Sequence, residues 1–118
     1  MMNILLSTLL LIGLAPPAQN SPSTSNAGNA AKGKASFTFY ACSACHGYSG
    51  QGGVGPRLAA TSLSLDALMK YVRKPGGVMP RYSMESQITD ATLTDIYAFL
   101  KSIPPPADPK TIPLLQTN

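Results

Sequence analysis

Cys42-Ser43-Ala44-Cys45-His46 is the stretch on which the reading of this chain turns. It contains the only two cysteines and the only histidine among 118 residues. The segment leading into it, from about Lys32 to Cys45, has Phe37, Ala41 and Ala44 at helical spacing and Gly47 placed to end a helix. On a helix, positions i, i+3 and i+4 share one face, so both thiols and the imidazole point the same way.

That arrangement is the Cys-x-x-Cys-His signature of covalent haem attachment. The chemistry needs it: each thiol adds to one vinyl group on the same edge of the porphyrin, and the adjacent histidine turns its ring towards the iron. The expected cofactor is therefore one haem c per chain, held by Cys42 and Cys45 with His46 on the iron. A thioredoxin-like redox pair would need a β-α-β context that is missing. A structural zinc site needs four ligands and would have to look beyond cysteine and histidine. A haem-free exported protein with one disulfide stays open as the third alternative.

Two further helical patterns follow. Leu65, Leu68, Met69 and Val72 make an apolar stripe behind Ser64 as N-cap, with cations in the last turn and Pro75 as a stop. Leu93, Ile96, Tyr97 and Leu100 make another, capped by Thr89, with Asp90 in the first turn, Ile88 placed to staple onto Leu93, and Pro104 beyond its end. No alternating apolar run predicts a strand, so the fold class is all-α: three main helices joined by long Gly/Pro-rich loops at 47–63 and 75–87. Loops of that length in so small a domain are accounted for if they wrap a flat cofactor.

The ends read differently. Residues 4–14 form an uncharged apolar run of export-signal length, which assigns 1–18 to a signal peptide, with cleavage placed as late as residue 27 as the alternative. A retained membrane anchor is the other reading, and the run is shorter than the ~20 apolar residues of a spanning helix. Residues 19–31, rich in Ser, Asn, Ala and Thr, are expected to form a flexible leader, and 104–118, with five prolines, an extended tail. The domain is then 32–103, small enough that a large cofactor would serve as its staple. The net charge is +4, and Arg57, Lys70, Arg73, Lys74 and Arg81 share a stretch whose only acid is Asp66. Such a patch suits an acidic docking surface on a partner protein. No nucleic-acid-binding motif accompanies the charge.

From about Lys32 to Ile103 the chain resembles a bacterial class I cytochrome c. The residues that carry the likeness are Cys42 to His46, a Gly-x-Gly-Pro-like turn at Gly53 to Pro56, Arg73 and Pro75, Met79-Pro80-x-Tyr82, and Asp95-Ile96-Tyr97-Ala98-Phe99-Leu100. The resemblance implies a small cytochrome c fold around one covalent haem with His/Met axial ligation. It implies Met79 as the sixth ligand, with Met84 as the alternative, while Met69 belongs to an apolar helical stripe. It implies that the Pro56 carbonyl accepts a hydrogen bond from the free ring nitrogen of His46. It also implies a close crossing of the first and last helices at Gly33, Phe37 and Tyr97, while Tyr71, Arg73 and Tyr82 are candidates for haem propionate contacts.

The expected function is electron transfer without substrate chemistry of its own, because two axial protein ligands leave the iron no open position. Redox proteins are the expected partners. Such modules also serve as haem subunits of periplasmic dehydrogenases handling an alcohol, a sugar or an inorganic sulfur compound. The implied location is outside the cytoplasm, the periplasm in a Gram-negative source, with membrane attachment only if the N-terminal segment is retained.

Overall fold

A computed structural model describes residues 27–84 and 88–116. The expected signal segment lies outside the described residues. Four helices follow in order: α1 Ala30–Phe39, α2 Cys42–His46, α3 Leu65–Arg73 and α4 Asp90–Ser102. No strand occurs among the described residues, so the fold is all-α, as expected. No helix among them is long and apolar enough to cross a membrane.

The start of α1 corrects the expected leader. Asn29 is its N-cap, the side-chain oxygen accepting from the Lys32 amide at 2.9 Å. The Asn29 amide in turn donates to the Asp95 carboxylate at 2.6 Å, and Gly28 sits against the Thr94 carbonyl. Partners on α4 thus draw residues 28–31 into the helical domain, ahead of the Lys32 boundary.

The single helix expected from Lys32 to Cys45 is two. Helix α1 closes through Tyr40 N to Ser36 O at 2.9 Å and Ala41 N to Thr38 O at 3.0 Å, and Ala41 takes a left-handed φ of 60°. That conformation costs a non-glycine residue roughly 1–2 kcal/mol. It separates α1 from α2, so the described residues hold the three long helices expected, α1, α3 and α4, with the cysteines and histidine on a separate five-residue helix.

Helices α3 and α4 begin at the expected caps: Ser64 Oγ accepts from Ala67 N at 3.2 Å, and Thr89 Oγ1 accepts from Thr92 N at 3.1 Å. Ile88 and Leu93, on either side of the α4 cap, are both buried in one cluster with Phe37, Leu68, Ile96, Phe99 and Leu100. Each such side chain contributes about 1.5–3 kcal/mol by leaving water.

Helix α1 crosses α4 so closely at Gly33 that a Cβ there would collide with the Asp95 carbonyl. The ring that meets Phe37 across this crossing is Phe99, at 5.6 Å between centroids, rather than Tyr97. Tyr97 lies at the edge of the core and donates its hydroxyl to Leu63 O at 3.0 Å. The proline-rich tail, expected to be extended, contains two 3-10 turns, Pro109–Thr111 and Pro113–Leu115. Proline fits the first position of each turn, where no amide donor is needed, and the Asp108 side chain caps the first at Lys110 N.

Candidate functional site

Helix α2 places Cys42 and His46 on one wall of a small cavity of about 40 Å3, which opens to solvent. The remaining wall comes from Leu58, Leu68, Val72, Met79, Tyr82, Ile88, Leu93, Ile96 and Leu100, so α3, α4 and both long loops close around it. Its surface is apolar, which suits a flat hydrophobic cofactor held by a few fixed groups.

His46 is the buried polar residue of the core, 7% exposed. Its Nδ1 lies 2.8 Å from the Pro56 carbonyl oxygen. A carbonyl only accepts, so Nδ1 carries the hydrogen, and that tautomer directs the Nε2 lone pair to a metal. The backbone holds this pair in register: Gly52 N donates to His46 O and Gly55 N to Cys45 O, both at 2.8 Å, while Gly53 N donates to Gly55 O at 3.0 Å. Gly55 is packed beneath the ring, and a Cβ there would come to 2.8 Å from His46 Cε1 and 2.9 Å from Nδ1. The Gly-x-Gly-Pro turn is therefore a cradle shaped to the imidazole.

The two cysteines differ. Cys42 is half-buried, lines the cavity, and has its thiol pushed up from its ordinary pKa by burial. Cys45 is exposed and is not part of the cavity wall. Among the methionines, Met79 lines the cavity, Met84 is 55% exposed and does not, and Met69 packs against the core cluster.

Of the three candidate propionate contacts only Tyr82 reaches the cavity. Tyr71 is exposed, and the Arg73 guanidinium is engaged elsewhere, Nη1 donating to Tyr82 O at 3.0 Å and Nη2 meeting Asp90 Oδ1 at 2.7 Å. The Tyr82 hydroxyl donates to Tyr40 O at 3.0 Å. Sequence reading also passed over Gly55 as the floor of the imidazole, although the turn that contains it was conspicuous. The role of Ile88 as cavity wall was hidden behind its role as a staple.

An all-α domain that gathers a Cys-x-x-Cys-His helix, a histidine anchored through Nδ1 and a loop methionine around an apolar cavity is a c-type cytochrome domain. The chain belongs to the family described as cytochrome C oxidase, cbb3-type, subunit III, whose model matches residues 28–100. No curated protein and no solved structure matches the chain. Membership carries with it haem c, electron transfer and redox partners in general.

Proposed function

We propose that the chain is an electron-transfer module with a single haem c, bound covalently through Cys42 and Cys45, with His46 and Met79 as axial ligands. The observation that carries this reading is the buried imidazole of His46, its Nδ1 fixed 2.8 Å from Pro56 O, on the wall of an apolar cavity that also takes in Cys42 and Met79. The place of half-buried Met79 in that wall supports it over Met84, which is 55% exposed. When bound, the haem supplies one-electron redox chemistry. The chain's own part is to orient the imidazole, offer a weakly donating thioether and exclude water with leucine and isoleucine side chains, choices that favour the ferrous state.

The domain acts outside the cytoplasm, delivered by the apolar N-terminal segment. Its partners present acidic docking surfaces, a reading supported by the exposed Arg57, Lys74 and Arg81. The family description, which names an oxidase subunit, favours a second reading in which the module is the haem subunit of a larger redox enzyme. A dehydrogenase acting on an alcohol, a sugar or an inorganic sulfur compound is one such enzyme. Copurification with a catalytic subunit at fixed stoichiometry supports that second reading, and a salt-sensitive transient association supports the free carrier.

Expression with a c-type maturation system, acid extraction and a pyridine haemochrome spectrum test the central claim. The expected result is a c-type spectrum at one haem per polypeptide after extraction. Complete loss of haem, with a control cytochrome correctly matured, refutes covalent attachment.

A further inference from the structure

We propose that Arg73 and Tyr82 are positioning residues that latch the Met79 loop over the cavity, and that this latch sets how readily the thioether leaves the iron. The inference rests on the reading of Met79 as an axial ligand.

The loop from Lys74 to Arg81 has little else to hold it. Val78 at its apex is 97% exposed, Gly76, Gly77, Pro80 and Arg81 are exposed, and a Cβ at Gly77 would meet nothing within 4 Å. Within this stretch Met79 alone belongs to the cavity wall. A segment with so few buried apolar contacts opens locally at low free energy unless its ends are fastened.

The fastening is at its base. Tyr82 N donates to Val72 O at 3.2 Å, and Tyr82 O accepts from Arg73 Nη1 at 3.0 Å. The Tyr82 hydroxyl reaches Tyr40 O at 3.0 Å, at the hinge that precedes the cysteine helix. The second arm of Arg73 holds Asp90 Oδ1, at the start of α4, at 2.7 Å. One guanidinium thus ties α3, the end of the loop and α4 together. Its side chain is 20% exposed, so the part-buried bond to Tyr82 O is worth more than a solvated one, while the Asp90 carboxylate, 65% exposed, is screened by water. Lysine could not replace the fork, because a single ammonium does not match two acceptors on different elements in one plane.

The test uses the ferric haem-loaded protein and follows imidazole binding, which requires the methionine to leave, alongside hydrogen exchange of loop amides and thermal melting. Arg73→Gln is expected to bind imidazole about tenfold faster, and Tyr82→Phe a few-fold faster, with earlier exchange confined to the loop. Ser64→Ala, which removes the α3 cap far from the latch, lowers the melting temperature and leaves the imidazole rate unchanged. Imidazole rates in Arg73→Gln and Tyr82→Phe that match the unsubstituted protein, or that rise no more than in Ser64→Ala at equal loss of stability, overturn the latch. Met79→Ala separates the two claims. Loss of the thioether-to-iron absorption band supports Met79 as the ligand whatever the latch variants do, and an unchanged band removes the premise.

Discussion

The two loops that close the cavity are built on opposite plans. The stretch after α2, residues 47–59, is bonded to itself and to the histidine: besides the contacts around Gly52, Gly53 and Gly55, the Leu58 and Ala59 amides both donate to Gly50 O at 2.8 Å, and Gly50 N donates to Gly47 O at 2.9 Å. The methionine loop has an exposed apex and is secured at its ends. On the latch proposed above, the histidine side is the more rigid frame and the methionine side is held mainly at its base. A one-electron carrier gains from a rigid frame because ligand motion adds to the barrier for changing oxidation state. A mobile methionine is tolerable only while its fastening holds.

The largest expected effect comes from breaking the rigid side. Gly55→Ala puts a methyl group 2.8–2.9 Å from His46 Cε1 and Nδ1, closer than van der Waals contact allows, while Nδ1 is held by its bond to Pro56 O. Either the ring tilts and its bond to Pro56 lengthens, or the turn moves and strains the amides that donate to Cys45 and His46. The expected loss is about 2 kcal/mol, typical of overpacking at a well-packed position. It is read as a lower melting temperature of the haem-loaded protein together with an altered reduction potential, since the Pro56 bond tunes the imidazole.

The same contrast explains how much could be read without coordinates. Caps were legible because Ser64 and Thr89 act on amides three residues away. The contact between His46 and Pro56 spans ten residues and was reached only through the family resemblance of the turn. The break at Ala41 has no signature in the sequence, because alanine is a strong helix former and gives no local cue for its left-handed φ of 60°. The ties of Arg73, one of three candidates for propionate contact, are not legible in the sequence because its partners, Tyr82 and Asp90, lie nine and seventeen residues away on other elements. Tyr97 was set into the helix crossing by its place in the family pattern, whereas helical phase gives that place to Phe99.

A smaller effect sharpens the methionine side. Gly77 has a left-handed φ of 63°, and the space around it is open. Gly77→Ala therefore meets backbone strain and no collision, with an expected cost of about 1 kcal/mol. If the loop is held at its base, the strain is absorbed at the apex: the melting temperature falls slightly and the thioether-to-iron band persists. Loss of that band in Gly77→Ala would mean that apex conformation, rather than the base, delivers Met79.

The smallest effect separates two carboxylates that look alike in the sequence. Asp66 and Asp90 each stand in the first turn of a helix and each meets a cation, Lys70 at 2.8 Å and Arg73 at 2.7 Å. The first pair is 77% and 74% exposed and joins residues of a single helical turn, so water and salt screen it and nothing else depends on it. The Lys70 ammonium has its pKa raised by that hydrogen bond, yet a fully solvated pair of this kind holds no separate elements together. The second pair joins α3 to α4 beside the loop end. Asp66→Asn is expected to leave both the melting temperature and the imidazole rate within error. Asp90→Asn should speed imidazole binding less than Arg73→Gln does, because the guanidinium keeps its bond to Tyr82 O. Equal rates for the two aspartate variants would place the whole fastening in the single bond from Arg73 to the loop, and leave α4 out of it.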